Sequence, residues 1–159
     1  MQIHVYDKLV DAGSANNKKE VGMSDKLLVH KHLIIRAEAL NPPTDTSYLT
    51  NWFKEFIQSI NMKVLMGPYV IYHNIPGNRG ITGAAIIETS HIVMHVWDEV
   101  SPALMQFDVY SCGEFDAEEI CKKITRDFVV EKIDYKFIDR ENGLKEIIKK
   151  NDNYDELGY

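Results

Sequence analysis

Ser90, His91 and His95 fall within six positions of one another in the stretch IIETSHIVMHVWDE, residues 86–99. A second stretch, FDVYSCGE at 107–114, ends a strand-like run in Ser-Cys-Gly and so puts the thiol of Cys112 at a strand end beside a turn. Imidazole changes protonation state near neutral pH and can take or give a proton. A thiol with an ordinary pKa near ~8.5 is mostly protonated there and can act as an acid. If the fold brings these groups together, proton-transfer chemistry is within reach.

Each group also has a plainer reading. Two histidines alone fit a half-solvated strand face, and a lone Cys112 fits a buried small hydrophobe. Cys121 lies on the apolar stripe of a helix and reads as packing. His91 and His95 make an HxxxH pair, with His73 or Cys112 as further ligands. That spacing signals zinc chiefly on a helix, and no glutamate takes the HExxH position, so no metal is expected. A Ser-His-acid hydrolase would set its serine in a glycine-framed elbow, and none surrounds Ser90.

The elements that must position these residues follow from periodicity. Residues 28–40 (LVHKHLIIRAEAL) read as a strand, stopped by NPPTDTS. Tyr48, Leu49, Trp52, Phe53, Phe56, Ile57 and Ile60 recur every three or four residues, which predicts a helix over 48–60. Strands are expected at 62–73, 81–88, 91–97 and 104–111, separated by Gly, Pro and Asn punctuation. Asp116 with Glu119 predicts a capping box opening a second helix that runs to about 129. A last strand is expected at 134–141, then a frayed acidic tail. In the strand over 91–97, His91, Val93, His95 and Trp97 share one face.

The order β-α-β-β-β-β-α-β has too few helices to cover both faces of its sheet. It predicts an α+β fold, a two-layer sandwich with one mainly antiparallel sheet and two helices on one face. The other face needs a partner, and a second copy is the obvious one. The chain divides into an N-terminal extension (1–27), one domain (28–141) and a C-terminal tail (142–159).

At 159 residues, 45% of them hydrophobic, the chain suffices for one real core. A formal charge of −6 argues against a general nucleic-acid surface. No apolar run approaches the ~20 residues of a membrane span, and the opening MQIHVYDKLVDAG lacks the layout of a signal peptide. Two cysteines make no disulfide framework, so a cytoplasmic location is expected.

Taken together, GITGAAIIETSHIVMHVWDE followed by FDVYSCG resembles the short prokaryotic form of S-adenosylmethionine decarboxylase, a pyruvoyl-dependent enzyme made as a proenzyme. The motif runs Ser90, His91, His95, Trp97, Glu99, then Cys112 and Gly113, and KHLIIRA is similar to the family's first strand. The likeness covers about His32 to Arg140. It implies autocatalytic cleavage between Thr89 and Ser90, which turns residue 90 into a pyruvoyl group. His95 would be the processing histidine, Thr82 the assisting hydroxyl and Cys112 the proton donor in turnover. The mature ketone would form a Schiff base with the substrate's amine and take up the electrons left by CO₂. Trp97, Glu99 and Ile75 fall at substrate-binding positions.

The implied product serves spermidine and other polyamine biosynthesis, and the implied assembly is a homodimer with residues of both copies lining each site. Ser90 and His95 lie on opposite faces by strand parity, so this chemistry demands a turn or bulge at 89–90. Two departures stand out. Thr89 replaces the family's glutamate, which is displaced to Glu88, and Ile75 replaces an aromatic residue that stacks on adenine. Three readings stay open beside the first: a related decarboxylase of arginine or ornithine, a non-cleaving regulatory paralogue, and a metal-binding domain.

Overall fold

A computed structural model describes residues 29–153. The expected extension at 1–27 lies outside the described residues. The elements are β1 (Lys31–Ala39), α1 (Thr46–Ser59), β2 (Val64–His73), β3 (Gly80–Ile87), β4 (Ser90–Trp97), β5 (Ala103–Ser111), α2 (Ala117–Phe128), β6 (Val130–Asp139) and β7 (Lys145–Asn153). The strands form one antiparallel sheet in the order β2-β3-β4-β5-β1-β6-β7. Both helices pack on one face, giving the expected α+β sandwich.

Alternation places Leu33, Ile35 and Ala37 of β1, Ile92, Met94 and Val96 of β4, and Met105, Phe107 and Val109 of β5 in the core. The apolar stripes of the helices meet them there. Trp52 stacks on Phe56 and contacts Phe107 and Phe128, while its Nε1 donates to Asp127 Oδ2 at 2.9 Å and so ties α1 to α2. Gly83 of β3 lets α1 come close, because a Cβ there would lie 2.7 Å from Phe53 Cε2.

Asp45 caps α1 by accepting from the Tyr48 amide at 2.6 Å. Asp116 accepts from the amides of Glu118 and Glu119 at 2.8 and 3.1 Å, satisfying amides with no partner within the helix. The Glu119 carboxylate pairs with Lys122 at 2.9 Å.

Two expectations need correction at the C-terminal end. The last strand begins at Val130 rather than 134, because Val129 takes a left-handed conformation (φ 50°) and turns α2 straight into β6 without a glycine. The segment read as a frayed tail contains a strand. β7 pairs with β6 from Asp139↔Lys145 to Lys132↔Asn153. Its sequence, KEIIKKNDN, is too polar to announce a strand, yet the free edge of β6 supplies backbone partners that composition does not reveal.

Candidate active site

β3 and β4 form a hairpin whose two-residue turn is Glu88–Thr89, with Ile87 opposite Ser90. The expected chemistry demanded a turn or bulge at 89–90; the turn lies one residue earlier, and Ser90 already belongs to β4. The turn is anchored by the Glu88 amide, which donates to Lys63 O at 2.9 Å, and by the Thr89 hydroxyl, 3.3 Å from Met62 Sδ. Ser90 has φ 155°, which side-chain-bearing residues rarely adopt and which costs about 1–3 kcal/mol where it is enforced.

Ser90 pairs with Ser111 at the end of β5, which brings the next residue of that strand's exit beside the turn. The Cys112 amide donates to the Thr89 carbonyl oxygen at 3.0 Å. Cys112 is a half-buried free thiol. The fully buried Ser111 accepts from the Gly113 amide at 2.8 Å and so shapes the same turn. Ser90 Oγ lies 3.4 Å from His91 Nδ1.

His95 is elsewhere. Five residues separate it from Ser90, roughly 16 Å of extended chain at about 3.3 Å per residue. There it pairs with Thr82 of β3, whose Oγ1 is 3.0 Å from His95 Nδ1. The His95 and Trp97 rings lie 5.9 Å apart. Trp97 Nε1 donates to Asn78 Oδ1 at 3.0 Å, and Glu99 accepts from the Gly77 amide at 2.8 Å. Ile75 is exposed in this same loop. Arg79 braces the loop against Asp98 at 2.8 Å, and Tyr72 donates to that carboxylate at 2.8 Å.

The candidate residues therefore form two groups at opposite ends of β4. Thr89, Ser90 and Cys112 make one; Thr82, His95, Trp97, Glu99 and Ile75 make the other. Thr82 and His95 of the second group lie on the sheet face opposite the helices. Cross-strand rows on that face run Ile86–His91–Tyr110–His32, Tyr69–Ala84–Val93–Asp108–Ile34 and Ile71–Thr82–His95–Gln106–Arg36. Among the described residues nothing covers this face, where Tyr69 (67% exposed), Ile71 (59%), Ile86 (47%) and Ile34 (39%) stand among polar side chains.

The model of the S-adenosylmethionine decarboxylase family matches residues 31–141, from the start of β1 to just past β6. The chain belongs to the S-adenosylmethionine decarboxylase family. A Clostridium botulinum protein named S-adenosylmethionine decarboxylase proenzyme is 27% identical over 95 residues, covering 59% of this chain and 77% of that protein. Proteins of the same name from Methanococcus aeolicus and Methanococcus maripaludis are 39% identical over 51 residues and 37% over 70. The shares covered are 32% and 43% of this chain, and 42% and 54% of theirs.

The family match contains both groups of residues and excludes β7. Sequence reasoning missed the Cys112 amide on the Thr89 carbonyl, the Asn78 acceptor that fixes Trp97, and the Gly77 amide that holds Glu99. Backbone donors carry no residue-type signal, and the first depends on the β4–β5 register, which no local pattern encodes. Among the described residues, no group of three or more His, Cys, Asp or Glu side chains is arranged to hold a metal ion, and no helix is long and apolar enough to cross a membrane.

Proposed function

We propose that this chain is a self-processing, pyruvoyl-dependent decarboxylase of S-adenosylmethionine, acting as a homodimer whose sites draw on both copies. The observation that carries the reading is the Thr89–Ser90 bond itself. Its carbonyl accepts from the Cys112 amide at 3.0 Å, and the residue after it is a serine held at φ 155°.

That arrangement suits an amide-to-ester shift. Ser90 Oγ adds to the Thr89 carbonyl carbon, and negative charge develops on the oxygen at which the Cys112 amide already points. A preorganised donor of this kind is worth most where charge appears in the transition state. Breaking the peptide bond also releases the backbone strain at Ser90. Removal of the Ser90 α-proton then expels the Thr89 carboxylate from Cβ and severs the chain. The eneamine left on residue 90 tautomerises and is hydrolysed, which releases ammonia and leaves a ketone.

His95 is the base for the α-proton step, with Thr82 orienting its ring. At roughly 16 Å along its own strand it serves the Ser90 of a second copy, not its own. The exposed Tyr69, Ile71, Ile86 and Ile34 on the sheet face that no described residue covers support that pairing.

The pyruvoyl group formed from Ser90 supplies an electron sink for loss of CO₂. Around it Cys112 returns a proton to the substrate carbon, while Trp97 and Glu99 bind substrate from the partner's loop. Ile75 offers that loop an apolar surface in place of a stacking ring. The family match favours S-adenosylmethionine over arginine or ornithine, and the geometry at Thr89–Ser90 favours cleavage over a non-cleaving paralogue. We place the product in polyamine, and specifically spermidine, synthesis. A chain with two cysteines and no disulfide framework fits a reducing cytoplasm.

Intact mass of the purified protein tests the reading. Wild type should separate into two fragments, the second beginning with a pyruvoyl group at position 90. Ser90→Ala should remain one chain of 18.3 kDa. Released CO₂ should come from S-adenosylmethionine and not from arginine or ornithine. A wild type that stays whole, or turns over only one of the other amino acids, would sink the proposal.

A further inference from the structure

We propose that His91 is a catalytic residue of self-processing, the base that accepts the Ser90 hydroxyl proton in the amide-to-ester step. The inference rests on the self-processing function above and assigns the proton shuttle of its first step, which His95 does not reach within the chain.

Neighbouring side chains of a regular strand leave opposite faces, so Ser90 and His91 should not meet. They do: Ser90 Oγ is 3.4 Å from His91 Nδ1, at the residue whose φ is 155°. Hydrogen bonds to a catalytic base are often this long before the reacting complex tightens. With its own proton on Nε2, His91 presents a lone pair from Nδ1 to that hydroxyl. The Cys112 amide holds the carbonyl to be attacked at 3.0 Å. Base, nucleophile and oxyanion donor thus meet at one peptide bond, all from one chain.

The proton inventory closes without an added reagent. Oγ gives its proton to Nδ1 as the Oγ–C bond forms. The tetrahedral adduct then breaks its C–N bond, and Nδ1 returns the proton to the departing Ser90 nitrogen. Ester and free amine result, and His91 ends neutral.

Its surroundings favour a neutral imidazole. From β5, Tyr110 packs at 5.5 Å between ring centroids, and Asp108 attracts the cation. That carboxylate is engaged by His32 of β1 at 3.0 Å, and His30 is held on the Tyr110 hydroxyl at 3.1 Å. Arg140, following β6, stacks over the Tyr110 ring at 4.0 Å. The β3 neighbour, Ile86, carries no charge. Burial first, then His32 and Arg140, outweigh Asp108 and lower the His91 pKa below its ordinary 6.5. The free base therefore predominates at neutral pH and persists somewhat below it.

Full-length chains made by cell-free synthesis would show which step each histidine serves, because neutral hydroxylamine cuts an ester and spares an amide. His91→Ala should slow cleavage by about 10²-fold or more, and its uncut chain should resist hydroxylamine. His95→Ala should also stay uncut but accumulate hydroxylamine-sensitive ester. His91→Gln keeps size and polarity without a base and should behave as His91→Ala, with the circular dichroism of wild type. In a His95→Ala background, ester should form more slowly as pH falls through a value below 6.5. Wild-type cleavage rates in both His91 variants would overturn the assignment, as would hydroxylamine-sensitive ester in them or a pH-independent ester rate. A wild type that never cleaves removes this assignment together with the function on which it rests.

Discussion

Cys112 holds two atoms with separate tasks. Its backbone amide points at the Thr89 carbonyl at 3.0 Å, and its thiol is the proton donor we assign to turnover. A substitution that spares the backbone should therefore split the two activities. Cys112→Ser keeps the amide in place, so the chain should still cut itself into two fragments on a denaturing gel. An alcohol is a far weaker acid than a thiol, so CO₂ release from S-adenosylmethionine should fall by about 10²–10⁴-fold, the range for a lost general acid. Full turnover in this variant would reduce the thiol to packing, and loss of cleavage would mean that the side chain, not the amide, serves processing. The thiol's position at a strand end was legible from FDVYSCGE. The amide's target was not, because the partner is 23 residues away in sequence and is set by register.

At the scale of elements, Val129 is the joint between α2 and β6. A β-branched residue at φ 50°, ψ 67° pays a steric penalty that Asn or Gly largely avoids. Its carbonyl accepts from the Leu40 amide at 2.9 Å, so the joint is held from β1 as well. The side chain is 47% exposed, and trimming it removes little core contact. Val129→Asn should stabilise the fold by about 1 kcal/mol, read as a higher urea midpoint with an unchanged slope. A lower midpoint would show that the valine's packing outweighs its strain. This joint also explains why β6 starts earlier than the pattern predicts. Helix ends are read from Gly, Asn and Pro, and here the chain turns on a valine.

For the whole molecule, the separation between Ser90 and His95 makes a prediction that a single-chain site cannot share. Ser90→Ala lacks the nucleophile and keeps the histidine; His95→Ala does the reverse. Expressed alone, neither should yield cleaved chain. Expressed together they should form hybrid dimers in which the intact Ser90 of one copy meets the intact His95 of the other. Cleavage and decarboxylation should then return, in about a quarter of sites if the copies pair at random. Light scattering should report a dimer for wild type and hybrid alike. Absence of complementation in a demonstrated hybrid dimer would place each site within one chain.

What local pattern determined by itself is considerable. The three- and four-residue stripes of Trp52, Phe53 and Phe56 and of Ile120, Cys121 and Ile124 specify two one-sided helices, because burial must follow helical pitch. Alternation in β4 assigned His91, His95 and Trp97 to one face, because a strand has period two. The spaced motif from Ser90 to Gly113 marked the family. Tertiary structure decided the rest. Register placed the Cys112 amide on Thr89 O, hairpin geometry turned Ser90 towards His91, and the free edge of β6 recruited a polar segment as β7. It also set His95 at the far end of β4 from the Ser90 of its own chain. These outcomes depend on which strands lie side by side and where they start. Such pairings join residues far apart in sequence, and local propensity carries no record of them.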